Sequence, residues 1–243
     1  MITILTDFGL SEYVGVMKGV IYSIAPQAKV TDLYHNVTPQ NIREGAWILL
    51  QSYKYFPKNT IFLCVVDPGV GSERKALGIA TQHYFFVGPD NGLMYPTVQE
   101  DIVQNVVRLS ETGASRTFHG RDVFARAAAE LENGVTLHQL GELVEITTAL
   151  EFLLDLPKRM GEVVRIDRFG NIITNLPHIG KHDYSVVFGT HFQKLTFYET
   201  YAMAPENEIF LIEGSSKTLE ISLKNGSAVN VLEAHVGMQI KIS

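Results

Sequence analysis

Cysteine is nearly absent from these 243 residues: there is one, Cys64, inside the apolar run 61–66. A single cysteine excludes an internal disulfide. In that setting it reads as a small buried hydrophobe and not as a nucleophile. Long apolar runs are also missing, since no stretch approaches the roughly 20 apolar residues of a membrane-spanning helix. No run of Lys or Arg occurs, and the net charge is −6. A mildly acidic chain without a basic patch argues against nucleic acid as a partner. There is no HxH, HExxH or DxH pair at metal-ligand spacing, no internal repeat and no low-complexity segment. What remains is ordinary for a globular protein with a substantial core, 46% hydrophobic and 19% charged. Met1 leads directly into the apolar segment 2–5 with no basic region before it. No signal peptide is therefore expected, and the cytoplasm is the expected compartment.

The first part of the chain alternates strands and helices. A strand over 2–6 ends at Asp7, and Phe8-Gly9 turn the chain. Val14, Met17, Val20, Ile21 and Ile24 fall at helical spacing and predict a helix over 13–25, stopped by Pro26. Residues 29–33 read as a second strand. Thr38-Pro39 predict an N-cap and first helical position, opening a helix to about Phe56. The unbroken apolar run 61–66 is the signature of a strand covered on both faces. Segments 77–81 and 84–87 predict two paired strands, and 105–109 another. A helix over 121–133 is closed by Gly134. This rhythm predicts an α/β domain with a mainly parallel sheet over 1–156. Beyond Leu156 only short strand-like runs separated by turn residues follow, with no helical period. Residues 157–243 therefore predict a smaller all-β domain, an antiparallel barrel or sandwich.

The segment 65–75, VVDPGVGSERK, carries the strongest signal. A buried strand delivers a carboxylate, Asp67, into a Pro-Gly-x-Gly turn, and Arg74 follows. A charge outside the carboxyl end of a buried strand is where a ligand meets an open α/β sheet. The turn lacks the Lys-Ser/Thr ending of a phosphate loop. Asp7 ends the first strand in the same way. It suits the grip of a carboxylate on a ribose diol as well as an Asx-turn. His119 sits in FHGRDVFA, just before an alanine-rich helix whose positive N-terminal end attracts anions. Asp122, in that helix's first turn, reads as a helix-stabilising carboxylate. Pro89-Asp90-Asn91-Gly92 and Asp167–Asn171 are turn signals, and Gly214-Ser215-Ser216 marks another turn. Residue types alone support two chemistries: a metal-dependent hydrolase, or a metal-free site for a nucleoside and a water.

TDFG, VDPGVGSER, PDNG, FHGRDVFA and FGNIITN occur in one order across nearly the whole chain. In this the sequence resembles the S-adenosylmethionine (SAM) hydroxide adenosyltransferases, hydrolytic relatives of the fluorinases and chlorinases. The resemblance implies cleavage of SAM by water to adenosine and L-methionine, with no cofactor and no metal. It implies a catalytic triad of Asp67, Arg74 and His119, and an adenosine-gripping Asp7. Asn171, Phe210, Ser215, Glu220 and Leu223 would supply adenine and methionine contacts. It further implies a homotrimer with sites shared across subunit interfaces. Where halide-using relatives carry an aromatic residue this chain has Asp67, and Gly120 replaces their halide-binding serine; both favour water over halide. Lys224-Asn225 and Gln40 depart from the relatives' pattern. A halogenase, a metal-dependent hydrolase and a non-catalytic nucleoside-binding protein stand as alternatives. Whether Asp67 or His119 takes the proton is left open.

Overall fold

The computed structural model describes residues 1–189 and 191–243. It divides into two units, Met1–Glu151 and Phe152–Ser243.

The first unit is built on β1 (Ile2–Thr6), α1 (Tyr13–Ile24), β2 (Val30–Tyr34), α2 (Ile42–Ser52), β3 (Ile61–Val65), β4 (Ala76–Thr81), β5 (Phe85–Pro89), α3 (Tyr95–Glu100), β6 (Val103–Leu109), α4 (Ala125–Glu132), α5 (Leu137–Leu140) and β7 (Gly141–Leu143). The sheet order is β2-β1-β3-β5-β4-β6-β7. Pairing is parallel across β2, β1, β3 and β5 and antiparallel from β5 through β4 and β6 to β7. The α/β class and its parallel half are as the sequence predicts. The unbroken apolar run of β3 is explained by its two covered faces. Ile61, Leu63 and Val65 pack with Met17 and Ile21 of α1 and the alanines of α4. Phe62, Cys64 and Val66 pack with Ile48 and Leu49 of α2. Cys64 is fully buried, and burial pushes its thiol pKa up, so it is an inert core residue.

Two helices begin elsewhere than expected. The N-cap of α2 is Asn41, whose side chain accepts from Glu44 N at 3.0 Å. Thr38 cannot cap it, because Gln40 takes a left-handed φ of 65° in between. The helix expected over 121–133 opens as a π-helical turn, Gly120–Phe124, before α4 begins. Its mark is the hydrogen bond from Ala125 N–H to Gly120 O, five residues back.

Between β3 and β4 the chain makes a tight turn, with Val70 N–H donating to Asp67 O and Ser72 N–H to Gly69 O. Gly71 has φ 76° and lies against the backbone of Arg116. A Cβ there would overlap the Arg116 carbonyl oxygen. Gly71 thus lets the turn after β3 meet the loop that leads to His119.

The second unit comprises β8 (Met160–Ile166), β9 (Ile172–Thr174), β10 (Asp183–Phe188), β11 (His191–Thr196), β12 (Ile209–Glu213), β13 (Leu219–Leu223), α6 (Ala228–Leu232) and β14 (Gln239–Ile242). The order β11-β10-β14-β8-β9-β13-β12 is antiparallel throughout. Phe197 bridges to Leu211 of β12, which brings the two edges together into a nearly closed barrel. The helix α6 is too short to leave a period in the sequence. On β13, Leu219 and Ile221 enter the barrel core. Glu220 is nonetheless 8% exposed. Burial, and then the neighbouring Asp167 carboxylate, raise its pKa above the ordinary 4.5.

These two features carry expectations. A carboxyl that holds its proton more tightly folded than unfolded makes stability fall as pH rises from its unfolded value through its folded one. Glu220→Gln should therefore melt above wild type by calorimetry at neutral pH, with the gap closing toward pH 4.5; equal melting at both ends would refute this. Gly71→Ala should lose roughly 1–3 kcal/mol in denaturant titrations from backbone strain alone, and more if the Arg116 loop must move.

Candidate active site

The strand order places a reversal beside β1. From β1 the chain crosses to β2 on one side, and β3 then returns on the other. Crevices at such switch points, outside the carboxyl ends of the strands, are where open α/β sheets bind ligands. The register pairs Thr6 with Val65, so Asp7 and Asp67 leave the sheet close together. Both line a cleft of about 430 Å³ with Phe8, Tyr13, Phe118 and His119. The three aromatic rings meet edge to face at centroid distances of 5.0–6.0 Å.

Asp67, Arg74 and His119 are brought together at this cleft. Arg74 Nε donates to both oxygens of Asp67 at 3.1 Å, and Nη2 donates to Oδ2 at 2.6 Å. Nη2 also lies 2.8 Å from Nδ1 of His119. A guanidinium has no lone pair to accept with. Nδ1 is therefore the acceptor, and in the neutral ring the proton sits on Nε2. Arg74, Asp67 and His119 have side chains only 9%, 5% and 4% exposed, so this is a desolvated, charge-assisted cluster. Arg74 is not among the residues that line the cleft; it holds Asp67 and His119 from behind. Phe124, from the π turn, packs against both: the Arg74 guanidinium lies 5.5 Å over its ring, and the His119 ring is 6.5 Å away.

The surroundings fix this arrangement. Asn91 of the PDNG turn donates from Nδ2 to Val66 O at 2.8 Å, anchoring the backbone just before Asp67. Asp90 accepts from the backbone and hydroxyl of Thr147 and from Thr148 N. Asp122 accepts from Arg121 Nε at 2.6 Å and from Ser115 N at 2.9 Å, tying the π turn to the loop before it. The Arg121 hydrogen bond comes first among the causes that hold the Asp122 pKa at about 2. Asp7 accepts from Gln40 N at 2.8 Å through Oδ2. Thr6 bonds to His35 Nδ1 at 3.0 Å and accepts from Phe8 N, which shapes the loop that follows Asp7.

The second unit has its own cavity, about 710 Å³, lined by Asp167, Phe169, Asn171, Tyr201, Leu223 and the 224–226 turn. Asn171 and Leu223 are among the lining residues. Glu220 lies behind the wall, where its Oε2 meets the Tyr201 hydroxyl at 3.3 Å. Phe210 is core, 1% exposed, with its ring edge-on to Tyr201. Ser215 is exposed on the β12–β13 turn and is not part of this cavity. Of the other lining residues, Asp167 is marked in the sequence only as part of a turn, and Tyr201 carries no signal. Asp167 holds Asn171 by its side-chain amide and its backbone N–H, a role that the turn signal DRFGN is compatible with but does not specify. Among the described residues no group of three His, Cys, Asp or Glu side chains could hold a metal ion. No helix of the described residues is long and apolar enough to cross a membrane.

Both units of the chain are similar to known proteins. Residues 2–141 match the family model of the SAM hydroxide adenosyltransferase N-terminal domain, and residues 161–241 match that of the C-terminal domain. A Thermus thermophilus protein named (R)-S-adenosyl-L-methionine hydrolase is 35% identical over 98% of this chain and 97% of its own. A Methanocaldococcus jannaschii protein of the same name is 42% identical over 72% of this chain and 66% of its own. The crystal structure of an uncharacterized conserved protein from Thermotoga maritima superposes with a TM-score of 0.92 at 35% identity, covering both chains fully. Matched in both halves and over almost its whole length, the chain belongs to the SAM hydroxide adenosyltransferase family.

Proposed function

We propose that this protein hydrolyses S-adenosyl-L-methionine to adenosine and L-methionine, and that Asp67, Arg74 and His119 do the chemistry. The observation that carries the reading is the carboxylate–guanidinium–imidazole cluster at the β1/β3 crevice, in a chain whose 35% and 42% identical relatives are named (R)-S-adenosyl-L-methionine hydrolases.

In the proposed reaction, a water oxygen forms a bond to ribose C5′ while the C5′–S bond breaks in line with it. The bonding pair goes to sulfur, so the sulfonium leaves as a neutral thioether and needs no general acid. One proton must leave the water. Nδ1 of His119 is occupied by Arg74, and Nε2 already carries a proton, so Asp67 is the acceptor. His119 Nε2–H is left to donate to the attacking oxygen. Arg74 fixes both from behind, donating to Asp67 and to Nδ1 of His119. The substrate's own positive charge draws the developing hydroxide toward C5′, an attraction strengthened in a site shielded from water. Alignment of oxygen, carbon and sulfur contributes the rest.

Asp7, with one oxygen held by Gln40 N, offers the other to the ribose diol. In the second unit, Asn171 and Leu223 contact adenine and methionine, supported by Phe210 and Glu220, with Ser215 at the rim. These contacts come from a neighbouring subunit of a homotrimer. The exposed side chains of Leu10, Phe169 and Met203 support such an interface. The protein works in the cytoplasm without a cofactor. A carboxylate at position 67 and glycine at 120 favour water over a halide anion, which Asp67 would repel.

Chromatography of SAM incubations should yield adenosine and methionine, unchanged by chelator, with no 5′-halo nucleoside when chloride or fluoride is added. Asp67→Asn should lower kcat at least about a hundredfold, the usual weight of a general base, with the fold intact by circular dichroism. Arg74→Lys keeps the charge but not the fork and should lose activity comparably. Wild-type turnover in both variants would overturn the assignment.

A further inference from the structure

The Arg74 fork is not fully used by the triad. Its Nε–H is shared between the two oxygens of Asp67, and its two Nη2 hydrogens go to Asp67 and to His119. Nη1 is buried and has no hydrogen-bond partner. Oε1 of Glu111 lies 3.8 Å away, and that oxygen is itself buried without a partner. The other oxygen of the same carboxylate, Oε2, lies 3.5 Å from Nδ1 of His119. Two orphaned groups of opposite charge thus face each other across a gap that a small side-chain rotation closes. An unsatisfied buried donor and acceptor are each costly, so the closed arrangement is favoured on both sides.

Glu111 is held where it can do this. It follows β6, in a turn where Ala114 N–H donates to Glu111 O at 3.1 Å and Thr112 N–H donates to the Ser110 hydroxyl at 3.3 Å. Its side chain is 25% exposed. Neither Glu111 nor its turn lines the cleft.

We propose that Glu111 is a positioning residue and the fourth charge of the site. Its carboxylate closes the Arg74 fork at Nη1, which presses Nε and Nη2 onto Asp67. It is also the counter-ion that receives Nδ1–H when His119 becomes protonated and gives up its bond from Arg74. The ionisable groups around His119 are then Arg74 and Asp67 from the turn after β3, Glu111 from the turn after β6, and Asp7 across the cleft from β1. The Arg121–Asp122 pair on the π turn is mutually neutralised. With Glu111 in place the Asp67–Arg74–Glu111 set carries a net charge of about −1 beside His119; without it the Asp67–Arg74 pair is neutral and that bias is lost.

The inference rests on the hydrolase reading for its kinetic arm only. Glu111→Gln keeps an oxygen for Nη1 but removes the charge; Glu111→Ala removes both. For Glu111→Ala, kcat should fall at least about tenfold with KM within about twofold, the pattern of lost transition-state positioning. For Glu111→Gln, the nitrogen-15 NMR titration of His119, followed without substrate, should move down by at least about half a pH unit, as expected for removing a charge some 4 Å away even with strong screening. An unmoved His119 titration in Glu111→Gln, or wild-type kcat in Glu111→Ala, overturns the proposal. The titration decides it if Glu111→Ala does not fold. It also separates the two ideas: a wild-type protein inert toward SAM refutes the hydrolase reading and leaves the titration to judge Glu111.

Discussion

The candidate site depends on one side chain, the guanidinium of Arg74. It joins the exit of β3 to the entrance of the π turn, with His119 lying 45 residues further along the chain. Being a donor at every nitrogen, it requires an acceptor of whatever touches it: the carboxylate oxygens of Asp67 and the lone pair of His119 Nδ1. Its side chain is 9% exposed, and a buried cation is stable only when its partners are in place. Pairing here is therefore both structural and chemical. The same contacts that neutralise Arg74 hold Asp67 and His119 at the mouth of the cleft.

Parts of this were legible in the sequence, and the reasons are local. The apolar run of β3 reads directly as a strand covered on both faces, and Asp67 and Arg74 are close enough in the chain for their pairing to be anticipated. The proximity of Asp7 to Asp67 is a matter of strand order and register, which no local pattern encodes. His119 stands out by its place before the alanine-rich helix, but its contact with Arg74, 45 residues away, is not encoded locally. Glu111 sits in a segment, LSETG, that reads only as a polar turn; its position emerges once β6 lies beside β4. The π turn leaves no trace either, because a bond to the fifth residue back uses the same residue types as one to the fourth. Glu220 is similar: in LEISL it alternates with core residues and reads as solvent-facing, yet it is buried.

The two units solve different physical problems. The crevice of the first gathers ionisable groups and needs the sheet's strand ends and a helix entrance to hold them rigidly. The cavity of the second is walled by Phe169, Tyr201 and Leu223 with the amide of Asn171, a surface suited to a flat, weakly polar group. Ionising Glu220 behind that wall opposes stability, because burial and the Asp167 carboxylate both disfavour its charged form.

The π turn has a consequence for how the chain tolerates change in length. A π-helical turn is an α-helix carrying one extra residue. Deleting any single residue between Gly120 and Phe124 would let the helix close into a regular α-helix. Every residue on the N-terminal side would then swing by about 100° about the helix axis, and His119 would turn away from Arg74 with its identity intact. The spacing between His119 and the alanine face of α4 is thus as much a part of the site as the residues themselves. A one-residue deletion here would dismantle the cluster without touching any of its members.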